Sequence, residues 1–293
     1  MELLIFKRWH LPHGPQNTRR KIRMKKLVAL MAVLALSVSM IGCGAAEVES
    51  EVAESSVAVS EVVESEAVDA PAFEEAKSEG VMTYAEYVAA PLDSEVVIET
   101  YVQAKQSWWD NKGTFYTQDA EGAYFLYEMA CTEEEYNQLV PGTKIKVTGY
   151  KAEWSGEVEI IDATYEIMDD NTYVAEAKDI TASLQADDLI KYQNIFAAFK
   201  GMVIEPSINA DGEEVPFLYK WDGSGQDGDD LYFNASINEQ PFNFCVESYL
   251  TGAGTDVYEA VKALEIGQTV DMEGFLYWYE GPNAHITAVS VVE

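Results

Sequence analysis

One block of this chain occurs twice. "LVPGTKIKVTGYKAEWSGEVEIIDAT" (139–164) lies on "LEIGQTVDMEGFLYWYEGPNAHITAV" (264–289) at a constant offset of 125. Gly142, Gly149, Gly156 and Ala163 fall on Gly267, Gly274, Gly281 and Ala288, while Leu139, Val147, Trp154 and Ile161 fall on Leu264, Met272, Tyr279 and Ile286. Glycines mark turns and apolar residues at period two mark half-buried strands, so their joint recurrence identifies two copies of one fold. Any architecture must therefore build both halves of the folded chain from the same strands.

Upstream of each block the order of elements agrees as well. In the first copy the pattern predicts a strand from about Val96 to Ala104, then a hairpin in "GTFYTQDAEGAYFLYEM" turning at Ala120-Glu121-Gly122. Next comes a short helix capped by Thr132, with Glu133 to Glu135 at its positive end. Strands at 144–151 and 157–167 complete the copy. The second copy predicts a strand near 199–205, a long insertion, a hairpin around 234–241, a helix at 257–264, and strands at 269–277 and 284–292. Five strands with a helix between the third and fourth resemble the OB-fold. The "PGTKIKVTG…G…I" block is similar to the fourth and fifth strands of bacterial OB-fold domains. The expected fold class is mostly β: two tandem five-stranded OB-fold-like barrels, each with one short helix, over residues 81–170 and 171–293, after a disordered tether.

In front of the repeats, Lys25 and Lys26 precede an apolar run from Leu27 to Ile41, which ends in Met40-Ile41-Gly42-Cys43. The run is shorter than the about 20 apolar residues that span a bilayer, so it reads as a signal peptide. Its last four residues resemble a bacterial lipobox, which makes Cys43 the expected lipid attachment site. Acyl chains at Cys43 would hold the protein by about 0.8 kcal/mol per buried CH₂. The resemblance implies a lipoprotein at the extracytoplasmic face of the cell membrane, with residues 1–42 as leader and signal. Met24 reads as a natural start, with 1–23 either a misread start or a long basic leader. From Glu47 to Gly80 the chain carries 11 acids against one Lys. Low hydropathy with high net charge does not offset the entropy of ordering, so 43–80 is expected to be an acidic disordered linker.

Processing sharpens the charge. Eight of the 19 Lys and Arg and one of the 51 acids precede Leu27, which leaves 11 and 50, a formal charge of −39. Phosphate backbones bind largely through cations that release counterions, so nucleic acid is expected to be an unlikely partner. His285 is the one histidine of the mature chain, which leaves little material for histidine-based catalysis or metal binding. The expectation is a protein that is not an enzyme, with no catalytic residue, cofactor or metal. Cys131 and Cys245 read as two separately buried free thiols rather than a disulfide. His285 reads as a surface or half-buried strand residue.

An OB-fold usually takes its ligand on strands two and three, framed by the loops after strand one and between strands four and five. Those places hold Trp108, Trp109, Tyr116 and Tyr124 in the first copy and Trp221 and Trp278 in the second, the six expected ligand-binding residues. Flat rings beside carboxylates and amides suit stacking on glycans, peptides or other small planar groups. Trp154 and Tyr279, at one repeat position, read as plugs of the barrel ends. The "WDGSGQDGDD" loop (221–230) departs from the EF-hand pattern, and Asp222, Asp227, Asp229 and Asp230 read as a solvated insertion rather than a calcium site. The expected function is a lipid-anchored binding protein for such a ligand. The alternatives are an envelope assembly protein that binds another protein and, ranked last, a hydrolase accessory protein.

Overall fold

The computed structural model describes residues 77–168 and 171–292. Cys43, the leader and the tether up to residue 76 lie outside the described residues. Before the first barrel comes a helix that the repeat pattern does not announce, α1 (Tyr84–Ala89). Its signal is local: Thr83 and Glu86 form a capping box, each side chain satisfying the other's backbone N–H.

The first barrel comprises β1 (Glu95–Lys105), β2 (Lys112–Gln118), β3 (Ala123–Ala130), β4 (Lys144–Trp154) and β5 (Glu157–Ile167). They close in the order β1-β2-β3-β5-β4. Between β3 and β4 runs α2 (Glu133–Gln138), with Thr132 as its cap. The second barrel uses β6 (Phe196–Glu205), β7 (Leu231–Ile237), β8 (Gln240–Val246), α3 (Asp256–Lys262), β9 (Thr269–Phe275) and β10 (Ala284–Val291). Its order, β6-β7-β8-β10-β9, is the same, and pairing of 203–205 with 234–236 closes it. Both barrels join the third strand to the fifth in parallel and every other neighbour antiparallel, as the OB order requires.

Strand alternation sets the two cores. Ile98, Phe115, Leu126, Val147 and Ile160 fill the first, and Phe199, Phe233, Phe244, Met272 and Ile286 the second. The recurring glycine of the fourth strand has a steric cause. A Cβ on Gly274 would lie 2.3 Å from the His285 carbonyl oxygen, and one on Gly149 would lie 2.6 Å from Ile160 Cγ2 and 2.9 Å from the Ile161 carbonyl oxygen. At both places the register between the fourth and fifth strands shifts, and only a residue without Cβ lets the backbones approach.

The barrels meet through a third, smaller cluster. Tyr116 and Phe125, on the outer face of β2 and β3, pack on Phe275 at the end of β9, with Phe196, Leu250 and Tyr277 around them. Tyr116 stacks on Phe275 with ring centroids 4.5 Å apart, and Phe125 meets Tyr277 edge-on at 5.4 Å. His285 is buried here, against the expectation of a surface or half-buried residue, because the first barrel covers it. Its Nδ1 lies 2.6 Å from the Tyr116 hydroxyl and its ring stacks on Tyr277.

Gly274→Ala should cost about 2 kcal/mol or more, because the obstruction is backbone rather than a side chain that can turn away. Urea unfolding of the variant against the parent checks this, and an alanine tolerated within 0.5 kcal/mol would contradict the steric account.

Candidate functional site

The six expected ligand residues do not form one surface. Tyr124 points into the first core, where its hydroxyl donates to Asp119 Oδ2 at 3.2 Å and its ring meets Tyr84 and Tyr87. Tyr116 is consumed by the joint. Trp108 packs against the first core, its Nε1 donating to the Cys131 carbonyl at 3.1 Å. Trp278 lies in the joint with its ring against Gly156. Trp109 and Trp221 are exposed on separate loops, Trp221 at 69%. The face of β2 and β3 that an OB barrel ordinarily offers is therefore covered in the first copy.

Two other rings are presented instead. Trp154 and Tyr279 do not plug barrel ends; they are 53% and 47% exposed and lie on one another, centroids 5.1 Å apart at 43°. The loop joining β4 to β5 is Ser155-Gly156, with positive φ at both positions, a geometry that turns tightly and throws Trp154 to the rim. The corresponding loop of the second barrel is pinned by a bridge between Trp278 and Pro282 and by the Tyr279 N–H donating to the Gly281 carbonyl at 2.8 Å. A backbone bond fastens one loop to the other, the Glu280 N–H donating to the Ser155 carbonyl at 2.7 Å. Residues equivalent in the repeat thus meet in a tilted contact, on two loops joined through their backbones.

The outer face of β7 and β8 in the second barrel is amide-lined. Asn243 Nδ2 donates to Asn234 Oδ1 at 3.0 Å, and Asn234 Nδ2 to Ser207 Oγ at 3.1 Å. In the 221–230 loop the four aspartates turn to separate partners. Asp222 accepts from Ser224, Asp229 from Gln226 and Asp230 from Ser248, while Asp227 pairs with Lys262 at 3.0 Å. Among the described residues no group of three or more His, Cys, Asp and Glu is placed to hold a metal ion. Cys131 and Cys245 are free and buried.

No family model and no curated protein matches the chain. Solved structures do align with it. The Ifi202 HINa domain in complex with 20-bp dsDNA is 12% identical, with 68% of this chain and 98% of that one covered and a TM-score of 0.31. A murine DNA-binding protein bound with dsDNA is 9% identical over 67% and 98%, with a TM-score of 0.31. A replication protein A heterotrimer bound to ssDNA is 8% identical over 68% and 49%, with a TM-score of 0.28. The likeness is one of fold. Each of these three structures holds DNA, where the expected partner is a glycan, peptide or other small planar ligand with nucleic acid set aside; that function and partner are not carried forward.

Sequence reasoning missed the buried acids at the joint. Glu157 and Glu159 alternate with Val158 and Ile160, the pattern of a strand's wet side, but the start of β5 meets the second barrel, where Asn194 and Trp278 bond to Glu157. Burial pushes the Glu157 carboxyl up to about 8, against the hydrogen bonds from Asn194 and Trp278 that pull it down. Burial and then Glu128 raise Glu159 to about 7, and burial and then Asp230 raise Glu247 to about 8. Burial lowers His285 to about 3. An acid raised in the folded state contributes stability that is full below its unfolded pKa and lost as pH climbs through the folded one. His285 acts oppositely, its contribution full above the ordinary histidine value and lost as pH falls toward 3. From pH 6.5 to 8.5 the three acids act alone, and the melting temperature should fall across that interval. Calorimetry checks it, and Glu247→Gln should flatten the fall.

Proposed function

We propose that the chain binds single-stranded nucleic acid by stacking bases on the Trp154–Tyr279 pair. The observation that carries this reading is that two half-exposed aromatic rings, one from each barrel, lie side by side on loops joined by a backbone bond. Stacking on such a platform contributes about 1–3 kcal/mol per base and tolerates any sequence, because every base has a π-face. The scarcity of cations bears on how such binding responds to salt. A chain with 11 basic residues against 50 acidic ones after Ile41 releases few counterions on binding. Added salt screens repulsion between strand and protein rather than weakening an attraction.

A fluorescence titration of the tryptophans with a 12-residue oligothymidine should show saturable quenching. Its apparent affinity should not fall between 50 and 300 mM NaCl. The double variant Trp154→Ala, Tyr279→Ala should bind at least about tenfold more weakly, since 1.4 kcal/mol is a factor of ten. Undiminished binding by that variant, or no saturable response in the parent, would remove the reading.

Independently of the ligand, we propose that Cys43 carries a lipid that holds the protein at the extracytoplasmic face of a membrane. The support is the run Leu27 to Ile41 and the residues Met40-Ile41-Gly42-Cys43. Metabolic labelling with an alkyne palmitate should mark the protein, and Cys43→Ala should abolish the label; equal labelling of both would refute the anchor.

A further inference from the structure

Glu157 opens β5 and is fully buried at the joint. Both of its carboxyl oxygens are held from the other barrel's side. Asn194 Nδ2 donates to Oε1 at 2.7 Å, and the Trp278 N–H donates to Oε2 at 2.9 Å. Gln193 adds two bonds to the same seam: its Nε2 donates to the Gly156 carbonyl at 2.8 Å, and its Oε1 accepts from the Val158 N–H at 3.2 Å. The loop carrying Trp154 and the loop carrying Tyr279 thus converge on one carboxyl group.

The titratable groups that face Glu157 offer no counter-charge. They are Glu159 on its own strand, Tyr87 from α1, Tyr116 from β2 and Tyr277 beyond β9, the three tyrosines all raised by burial. Lys151 lies over the Tyr87 ring at 5.1 Å, but its ammonium donates to the carbonyls of Tyr87, Val88 and Ala90. A carboxylate buried without a cation is disfavoured even when neutral donors hold it. The cores of the two barrels, in contrast, are built on other residues.

We infer that Glu157 is a proton-controlled latch: with its proton the two loops stay pressed together, and without it they part while each barrel remains folded. The raised carboxyl makes the contact weaken as pH climbs from the ordinary glutamate range to about 8, with no further change above. This concerns the joint itself and holds or fails whether or not nucleic acid is the ligand.

Hydrogen exchange of the full chain, read by mass spectrometry from pH 6 to 9.5 and corrected for the intrinsic rate, tests it. Amides of 154–158 and 277–283 should lose up to about tenfold of their protection per pH unit as pH climbs to about 8 and then level off, while β1 and β6 keep theirs. Glu157→Gln should hold protection across the range. Asn194→Ala, which removes a donor favouring the ionised form, should carry the fall to higher pH before it levels off, and it decides the matter if the glutamine variant does not fold. A flat parent, an equal loss in Glu157→Gln, a levelling-off point unmoved by Asn194→Ala, or a loss shared by all strands would each overturn the latch.

Discussion

The packing of Tyr116 and Phe125 against Phe275 and Tyr277 is the constraint on which the rest of the molecule depends. It places aromatic rings from two barrels in one dry seam, where paired rings contribute about 0.5–1.5 kcal/mol each beyond their buried area. To make that contact the first barrel gives up its β2–β3 face, and the second presents the end of β9 and the start of β10. Everything else at the joint follows from this choice of faces. His285 and Glu157 lose water because of where they stand on strands that happen to border the seam. The loops after β4 and β9 are brought close enough for a backbone bond, and the rings at their tips come to rest on one another.

The barrels themselves were legible because a closed sheet imposes period two on every strand and needs turns at fixed places. The repeat doubled each signal, and the glycine at 149 and 274 was visible before its steric reason was. The joint was not legible, and the reason is physical. A strand residue that points away from its own core can face water or another domain, and alternation is identical in both cases. Tyr116 reads as a ligand contact, and alternation gives Glu157 nothing to separate it from a solvated acid, yet both end in the seam. The pair Trp154 and Tyr279 was singled out for its shared repeat position and misplaced, since a position repeated in two barrels can mark where the copies touch as well as where each is stoppered.

Charge illustrates a related limit. Net charge governs long-range attraction and solubility, and it is a poor guide to chemistry at a given few square nanometres. At the joint the acids that matter are those that burial holds near neutrality, and composition counts them with the rest. A surface short of cations still carries π-faces, and stacking draws on those rather than on counterion release.

The joint is also one-sided, and that has a structural consequence. Phe275 is 3% exposed, while its repeat equivalent Tyr150 is 44% exposed, so that position of the first barrel's fourth strand is left open to solvent. The outward cross-strand pair that follows the core phenylalanine is Tyr116 with Phe125 in the first barrel, and Asn234 with Asn243 in the second. A contact in which one unit's face receives the next unit's edge is head-to-tail, and between identical units it propagates into filaments. Here the receiving face of the second barrel carries amides that bond to each other and to Ser207, offering no apolar seat for another Tyr150 edge. Substituting that one pair of positions lets a duplicated barrel pack on its neighbour once and stop, with amides on the second barrel where the first carries the rings of the joint.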